Sequence, residues 1–151
     1  MKTAFLIVLA LAVLGAIALQ AWIRLSAVDP ARWHTAIEVP EDAPGDWPMQ
    51  NGHRAVFDLA ETPQTVWSRV ETHLLSLPRT RVLVGEAGTG RMTFVTRTAF
   101  WGFPDFTTVE VLPREGGARV RVFARQGIGQ YDWGVNRARV EGLQEALTAS
   151  N

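Results

Sequence analysis

Cysteine is absent from all 151 residues, which excludes a disulfide framework, thiolate metal sites, thiol nucleophiles and lipid attachment through an N-terminal cysteine. A surplus of charge of either sign is missing too, since Lys+Arg and Asp+Glu both number 15. Nucleic-acid binding needs a basic excess to neutralise phosphates, so no nucleic-acid partner is expected. Histidine is sparse. His34, His53 and His73 stand far apart, without the HxxxH-like spacing that would hold a metal, so no metal site is expected. No Gly-x-Ser-x-Gly elbow occurs, and Asp58, Asp105 and Asp132 show no spacing that would pair two catalytic carboxylates. No cofactor and no catalytic set is read from the chain, which points away from an enzyme.

What is present is unevenly distributed. From Ala4 to Ile23 the only strongly polar side chain is Gln20. At 1.5 Å per residue, a helix of this length spans roughly 30 Å, the hydrocarbon thickness of a bilayer. Lys2 precedes the run, Arg24 follows it, and Trp22 stands where interfacial tryptophans favour the headgroup zone. Residues 1–23 are therefore expected to be a transmembrane anchor. The alternative is a signal peptide cleaved before Leu19, since Ala16-Ile17-Ala18 has the small-x-small form of a cleavage site. The apolar run continues past that site and exceeds the usual h-region of about 7–15 residues, which favours retention. The positive residue ahead of the run places the N-terminus in the cytoplasm. The expected location is the inner (cytoplasmic) membrane, single-pass, with the C-terminal domain facing the periplasm.

Residues 24–53 read as a tether. Pro30, Pro40, Pro44 and Pro48, with Gly45 and Gly52, interrupt regular structure, while Glu38, Glu41, Asp42 and Asp46 make it acidic. Trp33 and Trp47 suggest that parts of it dock on the domain.

Residues 54–151 remain for a folded α+β domain, enough for a sheet covered on one face. A short strand over 55–59 leads to Thr62-Pro63, an N-cap and first-turn proline. Val66, Trp67, Val70, Leu74 and Leu77 then form one apolar helical stripe that Pro78 ends, with His73 half-buried at its edge. Strands are predicted over 81–86, 91–98, 106–112 and 119–125. In the last, Val120, Val122 and Ala124 alternate with Arg119, Arg121, Phe123 and Arg125, which predicts one buried and one solvated face. Glu110 is placed to pair across the hairpin with an arginine on the solvated side. A final helix is predicted from near Asp132 to about Thr148, with Trp133, Val140, Leu143, Ala146 and Leu147 facing inward. The order is β-α-β-β-β-β-α behind a transmembrane helix, an antiparallel sheet packed on two helices as in helix-grip and TATA-binding-protein-like folds.

Two stretches carry the chemistry. In the first, the chain leaves a strand through Gly127-Ile128-Gly129 and enters the last helix at Asp132, whose carboxylate is placed to cap the first turn. A dinucleotide loop is a poor match here, since an acid stands where the third glycine would, among antiparallel hairpins. Asn136 falls on the inner face beside Val140 and Leu143, where an amide must be hydrogen-bonded, either to tie down the turn or to meet a ligand. Arg125, Arg137 and Arg139 form either a small anion site or ordinary pairs with acids. The second stretch, Phe100-Trp101-Gly102-Phe103-Pro104-Asp105-Phe106, holds four aromatics in a connecting loop, fit to close a core, line a cavity mouth or dip into the membrane interface.

Phe103-Pro104-Asp105 together with Gly129-x-x-Asp132-x-Gly134-x-Asn136-x-x-Arg139 resembles the family called Domain of Unknown Function 1499, and Asp29-Pro30-Ala31-Arg32-Trp33-His34 is similar to its proteobacterial members. The likeness covers roughly residues 29–147. Where the family tends to carry Ser-Arg-Ser-Arg, this chain has Ala124-Arg125-Gln126-Gly127. The resemblance implies a membrane-associated domain in bacteria or plastids and no particular activity.

The functional expectation is a non-enzymatic binding module for an apolar small molecule, with a cavity lined by Trp67, Phe103 and Trp133. Its partners would be the bilayer, through residues 4–23, and that ligand. The alternative is a structural or assembly partner of another envelope protein, using the aromatic loop or the Arg119/Arg121/Phe123 face. A third reading, an enzyme, requires Asp105, Asp132, Asn136 and Arg139 to converge on one cleft.

Overall fold

The computed structural model describes residues 1–149. Helix α1 (Lys2–Leu25) projects with its apolar surface bare, and only Ile23 at its far end is buried. A single-turn helix α2 (Pro30–Trp33) follows, opened by Asp29, whose carboxylate accepts the Ala31 N–H at 3.0 Å. The body is a six-stranded antiparallel sheet in the order β1-β2-β6-β5-β4-β3. Its strands are β1 (Gly45–Met49), β2 (Gly52–Leu59), β3 (Thr80–Glu86), β4 (Arg91–Arg97), β5 (Pro104–Arg114) and β6 (Gly117–Gln126). Helices α3 (Pro63–Ser76) and α4 (Val135–Thr148) pack on one face of this sheet and against each other.

Local sequence explains most of these elements. Thr62 caps α3, its Oγ1 accepting the Thr65 N–H at 3.3 Å, and Pro63 supplies the first turn. Val66, Trp67, Val70 and Leu74 lie against Ala55, Phe57, Phe94, Val109, Val120 and Val122 in a continuous apolar core. Burial of each such side chain contributes about 1.5–3 kcal/mol. The inner residues of neighbouring strands stand opposite one another, as in the row Phe57–Val120–Val111. That register gathers Ala55 and Phe57, Met92 and Phe94, Val109 and Val111, and Val120 and Val122 on the helix side.

Three expectations change. A sixth strand, β1, lies inside the supposed tether. It tolerates Pro48 because it is the sheet's edge, where a missing N–H breaks no central ladder. The outer face of the sheet is not solvated either. Residues 26–44 cross it as a strap, and Thr93, Phe106 and Thr108 beneath have no exposed surface. Trp33 stacks on Phe106 with ring centroids 3.8 Å apart, and His34 Nδ1 meets Thr93 Oγ1 at 3.0 Å. The Ile37 N–H donates to Glu110 Oε1 at 3.2 Å, and Asp42 receives Arg121 at 2.8 Å and Arg119 at 3.1 Å. Glu110 does meet arginines, Arg91 Nε at 2.7 Å and Arg121 Nη1 at 3.6 Å, but in a buried setting. The proline-broken segment cannot join a ladder, yet its side chains and free N–H groups satisfy polar groups of the sheet. Finally, Trp133 is not on the inner face of the last helix. That helix begins at Val135, and Trp133 in the preceding turn is 92% exposed.

Candidate functional site

The residues singled out from sequence fall into two places at opposite ends of the sheet. At the end where β5 begins and β6 finishes, Asp105 lies on the inner face opposite Gln126. The chain turns there through 127–134 into α4. Asp132 closes this turn: Oδ1 accepts the Gly134 N–H at 2.9 Å and Oδ2 the Asn136 N–H at 3.1 Å. Gly134 has a left-handed φ of 81°, which a side chain would strain, and it lets the chain enter the helix directly after Trp133.

Asn136, fully buried, accepts Arg139 Nη1 on Oδ1 at 2.5 Å, and Arg139 Nη2 reaches Asp105 Oδ2 at 3.3 Å. Asp132, Asn136, Arg139 and Asp105 thus form one chain of contacts joining the helix start to the sheet. Burial raises the Asp105 pKa above the ordinary carboxylate value; Arg139 opposes that shift and Asp132 adds to it. Asp105 Oδ1, Thr107 Oγ1 and Asn136 Nδ2 have no hydrogen-bond partner among the described residues. The four residues converge as an enzymatic reading required. Asp105, Asp132 and Asn136 are all below a tenth exposed, however, so the contact chain is largely enclosed within the domain. Its chemistry is that of a clasp, a buried ion pair with an amide bridge that holds two loops in register.

His53 belongs to the same end and was not singled out from sequence. It is fully buried on the inner face of β2, and its Nε2 is hydrogen-bonded to Asp46 Oδ1 of β1. No motif marks it, because its partner lies on a strand that the prolines concealed. The other arginines of interest separate: Arg137 pairs with Glu141 at 2.8 Å one turn along α4, whereas Arg125 lies on the outer face. There it donates to the Trp33 carbonyl at 2.5 Å and sits over the Phe123 and Trp33 rings. Burial beside Arg54 pushes its pKa down to about 10.

The second place is a groove of ≈ 710 Å³ on the helix side of the sheet. It runs between α3 and the far ends of β3, β4 and β5, with Pro63, Trp67, Leu75, Ala87, Val111 and Pro113 among its walls. Trp67, only 3% exposed, lines the groove and also belongs to the core. Of the three residues expected to share a cavity, only Trp67 is here. Phe103 is half-buried, its ring centroid 6.2 Å from that of Trp101 in the loop between β4 and β5, and Trp133 stands free at the clasp end.

The loop carrying Phe103 holds the end of the apolar helix α1. Gln20 and Arg24 donate to the Phe100 carbonyl, the latter at 2.8 Å, and Arg24 also reaches the Ala99 carbonyl at 2.6 Å. Arg97 donates to the carbonyls of Ile23 at 3.0 Å and Gly102 at 2.8 Å, so it caps an unpaired carbonyl of the last turn of α1 and binds the loop at once. Burial lowers the Arg97 pKa, with Arg81 and Arg24 adding to the effect.

These features define a two-layer α+β domain, with two helices on one face of an antiparallel sheet, a strap on the other and an apolar helix fastened to one end. The chain belongs to the family described as Protein of unknown function (DUF1499), whose model matches residues 27–147 and so takes in the strap with the sheet. No curated protein matches the sequence. A solved protein of Rhodobacter sphaeroides shares the fold at 15% identity and a TM-score of 0.52, covering 69% of this chain and 92% of its own. A protein of Mesorhizobium loti aligns with a TM-score of 0.47 and 13% identity, over 65% of this chain and 98% of its own.

Proposed function

We propose that this protein is a single-pass, membrane-anchored module that holds an apolar small molecule in the groove between α3 and the sheet. The observation that carries this reading is the groove itself: ≈ 710 Å³ of space lined by Trp67 and, for most of its wall area, by apolar groups. Pockets of roughly 300–1,000 Å³ with such walls and a few polar groups suit small ligands. Gln64, Glu71 and Thr72 supply polar groups along the rim. The apolar surface of α1 supports the anchor, because its bare face requires lipid rather than water. Orientation toward the periplasm follows from Lys2 ahead of the run. Arg24, the opposing charge, is engaged with loop carbonyls.

An assembly interface on Arg119, Arg121 and Phe123 is the weaker reading. Asp58 and Asp42 already occupy Arg119, and Asp42 and Glu110 occupy Arg121.

The test is native mass spectrometry of the full chain in detergent with added oleic acid. The wild type is expected to retain a one-to-one adduct. Ser68→Phe, an exposed position on the groove wall, is expected to lose the adduct without loss of folding. No adduct on the wild type, or an equal adduct on the variant, overturns the reading.

A further inference from the structure

The end of the domain to which α1 is fastened carries an unusual set of side chains. Phe100 is 69% exposed, Tyr131 60% and Trp133 92%, with Trp101 and Ile128 exposed beside them. They come from two loops, between β4 and β5 and between β6 and α4. Both leave the same end of the sheet, because Asp105 pairs with Gln126 and the Gly127 N–H donates to the Pro104 carbonyl at 2.9 Å. Neither 99–103 nor 127–131 contains a charged residue, and Asp132 is turned inward onto the helix start. Trp133 has a left-handed φ of 55°, a conformation rare for a bulky side chain, and this turns the indole outward.

The position of this surface along the anchor is set by Gln20. Its side chain donates to the Phe100 carbonyl, and Gln20 lies three residues before Ile23, the end of the apolar run. At 1.5 Å per residue, Phe100 therefore sits roughly 4.5 Å inside that end. The one polar group in the run is thereby paired with the loop beside it.

We propose that this end of the domain is seated in the interfacial zone of the bilayer that α1 crosses, with Phe100, Trp101, Ile128, Tyr131 and Trp133 in contact with lipid. Aromatic side chains favour that zone because an apolar ring meets the acyl boundary while an N–H or O–H reaches the headgroups. The clasp of Asp105, Asn136 and Arg139 and the cap at Asp132 hold the two loops at one level. The domain then stands on the membrane by a helix and an aromatic foot, with the groove at its far end. The proposal rests on α1 spanning the bilayer and is independent of what the groove holds.

The chain has no cysteine, so single cysteines can be placed cleanly. The full chain carrying Phe100→Cys, Trp133→Cys or Glu115→Cys is nitroxide-labelled and reconstituted in vesicles of phosphatidylcholine and phosphatidylglycerol. Collisions with oxygen and with a water-soluble nickel chelate are read by EPR power saturation. Glu115, in the exposed turn between β5 and β6, marks the far end. Labels at 100 and 133 are expected to show a several-fold higher ratio of oxygen to nickel accessibility than the label at 115. Equal ratios at all three sites overturn the proposal, and labels at 100 and 133 shielded from both reagents overturn it in favour of a protein cover. An alkaline carbonate wash separates the premise. Release of the wild-type chain removes the anchor, whereas retention with water-exposed labels removes only the foot.

Discussion

Replacing Arg139 with leucine isolates the clasp. The substitution leaves Asp105, only 4% exposed, without its cation and leaves Asn136 Oδ1 without its donor. Breaking a buried ion pair from one side costs about 3–5 kcal/mol. At roughly 4 °C or more per kcal/mol for a domain of this size, the melting temperature should fall by on the order of 15 °C. The pH dependence follows from the direction of the Asp105 shift. Its folded pKa already lies above the unfolded value, so the folded state binds that proton more tightly. Its contribution is most favourable below the unfolded pKa, about 4, and declines as pH rises through the folded pKa. Loss of Arg139 raises the folded pKa further, so the deficit against wild type should be smallest near pH 4 and larger at pH 7. Adding Asp105→Asn should recover part of the loss at pH 7, because the uncompensated charge is gone. Thermal unfolding of the full chain in detergent, followed by circular dichroism at both pH values, decides the matter. An Arg139→Leu deficit that is the same at pH 4 and pH 7, with no recovery in the double variant, would refute the clasp as an electrostatic unit.

Three further outcomes follow from other contacts. Asn136→Leu removes the acceptor that orients Arg139 and should destabilise by about 1–3 kcal/mol in urea unfolding, while leaving oleic acid retention in the distant groove unchanged. Trp33→Ala removes the ring stacked on Phe106 and the surface over which Arg125 lies. As Trp33 is only half-buried, a loss of about 3 kcal/mol is expected, the lower end for tryptophan truncation, measured by the same denaturation. Asp42→Asn should loosen the strap, seen as faster amide exchange around residues 35–43. In the wild type Arg121 and Arg119 hold the Asp42 pKa low, and Arg119 and Arg114 do the same at Asp58. Those contacts should therefore persist above the unfolded pKa near 4 and weaken as pH falls through the lower folded values, seen as falling protection of the strap amides relative to their intrinsic exchange rates at each pH.

Residues whose partners are near in sequence were the legible ones. Thr62-Pro63 opened α3 as expected, and Asp132 capped the final helix through N–H groups two and four residues on. Asn136 was recognised as a buried amide because the helical period alone puts it beside Val140 and Leu143. Its partner Arg139 is also local, one turn away, but Asp105 joins them across 34 positions, a pairing no spacing displays. Trp133 was misplaced because the helical period was carried past the left-handed Gly134, where the helix does not reach. The supposed tether was misread for the complementary reason. Proline and glycine report that a segment lacks internal hydrogen bonds, and they are silent about the surfaces on which it lies.

The chain alone determined that an apolar run of bilayer length precedes an α+β domain, because hydrophobic period and length are local properties that lipid and core both select. It also determined the helix caps and the alternation that turns Val120 and Val122 away from Arg119 and Arg121. Only the tertiary structure decided that the strap buries the outer face and that four motif residues form an enclosed clasp. The groove beside Trp67 and the aromatic loops level with Gln20 emerged in the same way. Each depends on which surfaces meet after the chain has closed, and contact between distant residues leaves no period in a single sequence.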